Sequence, residues 1–326
     1  MAMEKGNKKN VKISTSLGLD ILSNELRPRV NEFKRSFKSL VRNPTALAGL
    51  MLVIFVVMIG ALAPLLAPPS AGDPLLIPKD LMDPKPPFIK GHPLGTGTLG
   101  IDMYYGIVWG ARTTLTISIF VIMTSAFIGI LLGAISGYNG GKIDDFIMRI
   151  SDVFLSLPGL ILAMAVASVL ERNIENIMLA LIVVWWPSYA RLVRAQVLSV
   201  RENTYVEAAT AIGCKKSRIL FRHIVPNSLS PIIVSITMDM GAVALVAAGL
   251  SYIGFGVQSG YAEWGRMVSD GQLWFLSIVE YPVGSGVFYN PWWVVTFPGI
   301  MILLFTMGFS LVGDALRDIL DPRFRR

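Results

Sequence analysis

The chain has 326 residues, 53% hydrophobic and 16% charged, with a mean hydropathy of +0.58 and a formal net charge of +7. That balance is too apolar for an ordinary soluble domain and too often interrupted for one buried core, so the chain reads as an integral membrane protein. Its single cysteine excludes an internal disulfide and a cysteine-rich metal site.

Residues 1 to about 25 are polar, lysine-rich near the start, and predict a flexible segment. From Val30 onward Phe33, Phe37, Leu40 and Val41 recur at helical spacing, with Arg29, Lys34, Arg35, Lys38 and Arg42 between them. This pattern predicts a basic amphipathic helix lying on the inner leaflet, within a cytoplasmic N-terminal segment 1–44. Apolar runs with few or no charges, long enough to span a bilayer or nearly so, follow at about 45–67, 113–137, 153–170, 176–194, 227–257 and 293–313. None shows two-residue alternation, which argues against a β-barrel. The expectation is an all-α membrane protein of about six helices, with a transmembrane body over 45–316 and a short tail, 317–326.

The first span begins some 45 residues in, without a short core and small-residue cleavage site, and reads as a retained helix. Residues 68–93 then carry eight prolines and predict an extended, semi-rigid excursion. In the fourth span only Asn176 to Ala190 is free of charge, so Arg191 and Arg194 are expected to snorkel to an interface. Pro158, Pro187 and Pro298 fall inside spans, where neighbouring helices can satisfy the freed carbonyls.

Between the fourth and fifth spans lies a polar stretch, about 199–223, that predicts a helix-turn-helix. Thr204 and Glu207 have capping-box spacing. Ala208 and Ala209 leave a bare backbone face for another surface to approach, and Gly213 can end the helix in the left-handed conformation before Lys215, Lys216 and Arg218. An ordinary solvated connector would show the same pattern. Cys214, beside these lysines, reads as an incidental small residue.

Asp239 interrupts the fifth span. An intramembrane carboxylate is a candidate for lining a pathway; the alternative is a buried Asp bonded to a neighbouring Ser or Thr, or placed near an interface by a shifted register. Residues from about 258 to 292, with Trp293 directly after them, are rich in glycine and aromatics, among them Trp264, Trp274 and Trp292, which suits either an interfacial aromatic belt or a scoop at the mouth of a pathway.

Lysine and arginine fix an orientation. One side takes residues 1–43, 138–149, 191–222 and the tail from 317, with 23 of them, and the other takes 6. Both termini and the loop around Glu207 are thereby assigned to the cytoplasm. The basic residues border spans and carry no aromatic platform, which excludes a nucleic-acid module. No G-x-x-x-x-G-K-[ST] cradle, nucleophile elbow or HExxH motif occurs. His92 and His223 fall on opposite sides of the membrane in this topology, so neither catalytic residues nor a metal site is expected.

The stretch Tyr205-Val206-Glu207-Ala208-Ala209 through Arg222-His223-Ile224-Val225-Pro226-Asn227 resembles the EAA coupling loop of ABC importer permeases of the dipeptide/oligopeptide/nickel branch. Agreeing segments run in order over about 33–326, among them His92-Pro93-Leu94-Gly95-Thr96, Gly110-Ala111-Arg112, Met148-Arg149-Ile150-Ser151-Asp152, Trp264-Gly265-Arg266-Met267 and Gly313-Asp314-Ala315-Leu316-Arg317-Asp318. The sequence departs from the family pattern at Ala247, where many peptide permeases have Glu, and at Gly97 and Ile101, in place of Asp and Arg.

The resemblance implies a multi-pass permease subunit of the cell membrane. Its expected partners are a second homologous permease, two cytoplasmic ATPase subunits that bind ATP and magnesium, and an extracytoplasmic substrate-binding protein. It further implies that Thr204, Glu207, Ala208, Ala209, Gly213, Lys215 and Arg218 belong to an ATPase-coupling loop. Short peptides are the implied cargo, with oligosaccharides or nickel chelates as alternatives. A secondary transporter using Asp239 as its ion-coupling group is the reading of a different class.

Overall fold

The computed structural model describes residues 43–69, 72–79 and 83–320. The amphipathic helix expected before the first span lies outside the described residues, as do the last six residues. The main helices are α1 (Pro44–Ala61), α2 (Met103–Asn139), α3 (Gly141–Leu155), α4 (Gly159–Val169), α5 (Ile174–Arg201), α6 (Thr204–Ala211), α7 (Lys216–Ile219), α8 (Leu229–Ile253), α9 (Trp264–Phe275) and α10 (Trp293–Leu320). Among the described residues five of them, α1, α2, α5, α8 and α10, are long and apolar enough to cross a membrane, and the bent pair α3 and α4 has the length and composition of a broken span or a re-entrant loop. A two-residue hairpin, β1 (Val279–Glu280) with β2 (Phe288–Tyr289), closes the loop before α10.

The third expected span, 153–170, is corrected: the chain bends by 89° between α3 and α4. Pro158 causes the break. It has no N–H to donate, and its ring drives the preceding residue out of the helical region. The remaining helix, α4, has 11 residues and rises only about 16 Å, half the depth of a bilayer core. By contrast Pro187 and Pro298 stay inside continuous helices.

Arg191 and Arg194, expected to snorkel to an interface, both have carboxylate partners. Arg194 forks onto Asp144, with Nε to Oδ1 at 2.5 Å and Nη2 to Oδ2 at 2.6 Å, and Ser136 of α2 donates to the same carboxylate. Arg191 pairs with Asp152. Two acidic residues of α3 thus meet two basic residues of α5, one pair partly sheltered and the other largely in the open. A forked, sheltered pair is worth more than an exposed one, so the Asp144 end is the firmer attachment of α3.

Helices α2 and α5 run side by side in parallel, and glycine lets them touch. Gly129, Gly133 and Gly137, four residues apart, face Tyr189, Ala190, Val193 and Arg194; a Cβ on Gly137 would come within 2.9 Å of the Arg194 carbonyl oxygen. Small residues at this spacing let backbones approach where no hydrophobic effect drives helices together in lipid.

The first ten residues of α2 stand beyond the predicted second span, 113–137, and these residues and the chain before them are held by tryptophan hydrogen bonds. Trp264 Nε1 donates to the Ile107 carbonyl (3.1 Å), Trp109 Nε1 to that of Ala67 (2.9 Å) and Trp293 Nε1 to that of Thr96 (3.0 Å). Trp264 and Trp293 are fully buried, which removes these two from the aromatic belt that is one reading of this region, while Trp292 and Phe275 are exposed. Described parts of the proline-rich segment form no helix and lie against the chain before α9: Ile77 N–H donates to Gly260 O (2.9 Å) and Ala262 N–H to Leu75 O (2.7 Å).

Buried Glu263 caps α9, accepting from the amides of Gly265 (2.9 Å) and Arg266 (2.7 Å). Burial raises its carboxyl above the ordinary glutamate range, partly offset by the Ser251 hydroxyl, the two amides and the Arg266 charge. The folded protein therefore holds this proton more tightly than the unfolded chain. Its contribution to stability is full below the ordinary glutamate range and is lost as pH rises through the raised value. On acidification from neutral pH, the thermal midpoint of the wild type should rise relative to that of Glu263→Gln. A difference between the two that does not change with pH would contradict the assignment.

Candidate coupling loop and transmembrane carboxylate

The loop between α5 and α8 is a compact unit. Asn203 precedes α6 in extended conformation, and Thr204 is the first helical residue. The expected capping box is corrected accordingly: no side-chain hydrogen bond closes this end, because the helix starts one residue earlier than the Thr204–Glu207 spacing implies. Glu207 instead sits in the first turn, where its charge suits the positive end of the helix. The other end follows the sequence closely. Gly213 has φ +80°, its N–H donates to Thr210 O (3.0 Å), and Cys214 N–H donates to Ala209 O (3.1 Å). This pair of bonds is the Schellman ending, which needs a left-handed residue at that position.

The two alanines do not share a face. Ala209 is buried with Val206 in the core cluster that also holds Ile219, Leu220 and Ile224, whereas Ala208 points outward. The exposed side of α6 comprises Thr204, Glu207, Ala208 and Ala211, continuing to Ile212, which is 80% exposed. Lys215 and Arg218 extend this surface beyond Gly213. After α7 the chain widens into a π-helical turn, Leu220–Ile224, that places His223 at the edge of the loop. Asn227 Nδ2 ties the return to both the His223 carbonyl (2.6 Å) and Tyr205 Oη (3.2 Å).

Asp239 lies midway along α8 and is partly buried. Tyr189 Oη donates to its Oδ2 at 2.7 Å, so the carboxylate has a side-chain partner from α5, a tyrosine where one alternative reading names a Ser or Thr. Tyr189 is itself 1% exposed and packs on Gly129, which links the carboxylate to the glycine seam. Sequence reasoning passed over that seam, although its signal, Gly-x-x-x-Gly-x-x-x-Gly, is legible at 129–137. The histidines stand apart: His92 Nδ1 meets Asp102 Oδ2 at 2.6 Å beside the start of α2, and His223 is in the loop at the other end of the bundle.

Residues 129–326 match the family described as binding-protein-dependent transport system inner membrane component, and residues 32–84 match the N-terminal TM domain of oligopeptide transport permease C. Among curated relatives, the dipeptide transport system permease protein DppC of Alkalihalophilus pseudofirmus is 37% identical over 297 residues, 91% of each chain. The oligopeptide transport system permease protein OppC of Bacillus subtilis is 34% identical over 284 residues, 87% of each chain. A solved chain of the MetNI methionine ABC transporter, in inward-facing conformations, superposes with a TM-score of 0.51 at 17% identity, covering 67% of this chain and 97% of that one. At that identity the likeness speaks for the fold alone.

Proposed function

From the premise that the chain belongs to the binding-protein-dependent transport system inner membrane component family, we propose that α6 is the lever through which ATPase subunits drive this permease. The chain is a multi-pass subunit of the cytoplasmic membrane and a permease for peptide-class cargo; ATP is hydrolysed on separate subunits. In the proposed assembly it pairs with a second homologous permease over two ATPases and receives cargo from an extracytoplasmic binding protein. Residues 45–316 form the permease body, and residues 1–44, the tail 317–326 and the loop 199–223 face the cytoplasm. The surplus of Lys and Arg on that side supports the orientation.

The observation that carries the lever reading is the division of α6 into a buried and a bare face. In this mechanism Glu207, Ala208 and Thr204 seat in a cleft of an ATPase, with Lys215 and Arg218 at its rim. Val206 and Ala209 pass the movement through Leu220 and Ile224 into α8. Closure of the ATPase dimer then turns the pathway outward, and hydrolysis resets it inward. Asp239, oriented by Tyr189, is proposed to line that pathway.

Uptake of a labelled dipeptide into proteoliposomes holding the assembled transporter and its binding protein tests the reading. Transport should require ATP and survive an uncoupler. Uptake that is indifferent to ATP but abolished by an uncoupler would overturn it in favour of an ion-coupled carrier using Asp239.

A further inference from the structure

One face of the bundle holds a cavity that the transport reading does not use. Helix α1 crosses the bundle obliquely. Near its Ala61 end Gly60 lies against α2, where a Cβ would come within 2.9 Å of Leu115 Cδ1 and 3.3 Å of Arg112 Cα. Near its Pro44 end it lies instead against α10: Gly49 faces Leu311 and Val312, and Gly308 faces Leu52 and Val53. Helices α1 and α2 therefore diverge on the way from Gly60 into the membrane, and a wedge of about 570 Å³ opens between them. Val57, Leu115, Ile119, Phe120 and Met123 line it, and Thr124 lies at its deep end.

Arg112 lines the end of the wedge beside Gly60. It is the last charged residue before the uncharged stretch 113–137, which puts it at a bilayer boundary. Its guanidinium lies 5.6 Å from the centre of the Trp109 ring, and it has no carboxylate partner among the described residues. From Arg112 to Thr124 is twelve residues of helix, about 18 Å, against about 15 Å for half of a bilayer core about 30 Å thick. The wedge thus combines a cation at headgroup depth with an apolar slot that ends near the bilayer midplane.

We propose that this wedge is a phospholipid site, with the phosphate on Arg112 and an acyl chain along Ile119, Phe120 and Met123. A guanidinium at an interface with no carboxylate partner among the described residues suits a phosphate diester, to which it can donate two parallel hydrogen bonds, and the depth of the slot suits one leaflet's chain. The site rests on the chain spanning a membrane and not on the lever reading; the proposed orientation would make the leaflet the outer one.

Native mass spectrometry of the assembled transporter, purified in mild detergent and titrated with phosphatidylglycerol, tests this. The wild type should retain one lipid per copy of this chain. Arg112→Gln should lower occupancy by about tenfold, as expected for loss of a charge-assisted pair, and Arg112→Lys should retain much of it. Thr124→Trp, which fills the deep end without touching Arg112, should lower occupancy as well. Equal occupancy in all four proteins overturns the proposal. So does displacement of the bound lipid by inorganic phosphate, which would make Arg112 a free-anion site. Release of the second permease by both Arg112→Gln and Thr124→Trp also overturns it, because the wedge would then be a subunit interface.

Discussion

Uptake by an Ala208→Trp variant should fall by about tenfold or more at equal abundance in the membrane, since obstructing a seated position at the centre of an interface costs roughly 2 kcal/mol or more. Ala208 is on the bare face of α6, so the indole meets nothing inside this chain and the fold should be undisturbed. ATP hydrolysis by the assembled complex should lose its stimulation by loaded binding protein, while the thermal midpoint stays near that of the wild type. Ala209→Leu provides the contrast. That side chain is buried beside Val206, and overpacking there should cost about 1–3 kcal/mol of stability. Gly213→Pro should resemble Ala208→Trp in uptake for another reason: proline holds φ near −65°, whereas the Schellman ending requires +80° here. Normal uptake by Ala208→Trp at equal abundance would rule out the lever.

Gly133→Val should be more damaging still, because it acts on the bundle itself. A Cβ at this position would collide with the Ala190 carbonyl oxygen and press on Val193 Cβ, so neither a rotamer change nor a flexible chain end can relieve it. Helices α2 and α5 would have to separate, losing the close packing on which association in lipid depends. The expected result is a drop in membrane abundance and in the thermal midpoint of what remains, corresponding to about 3 kcal/mol, at the upper end of overpacking costs. Because Tyr189 packs on Gly129 one turn away, its hydrogen bond to Asp239 should also be disturbed. Gly249→Ala is the control: a Cβ there has nothing within 4 Å, so the change should be neutral or stabilising by up to about 1 kcal/mol. Equal abundance of Gly133→Val and wild type would show that the seam tolerates separation.

The crossings were legible wherever one property decided the outcome. Long uncharged runs lead to α1, α2, α5, α8 and α10 because a chain in hydrocarbon must satisfy its backbone bonds within itself, a requirement that depends on composition and length alone. Gly213 was legible for a similar reason: a polar segment that must turn uses the residue with no penalty at positive φ. Arg191 and Arg194 could not be interpreted from their own span, since their partners, Asp152 and Asp144, lie 39 and 50 residues away. Ala208 and Ala209 differ by one position, so their division between outside and core follows from the rotation of α6 against Ile219 and Ile224.

The sequence by itself determined that this chain crosses a membrane about six times, has a polar loop ending at Gly213, and resembles the importer permeases. These properties follow from local chemistry: the hydropathy of runs, the charge beside them and the freedom of single residues. Only the tertiary structure decided that the third expected span is broken at Pro158 and that Trp264 and Trp293 are buried pins. It also decided that Asp239 answers to Tyr189 and that α1 leans away from α2 to open a wedge below Gly60. Each of these depends on which distant helix arrives against which face, and that is set by the packing of the whole bundle.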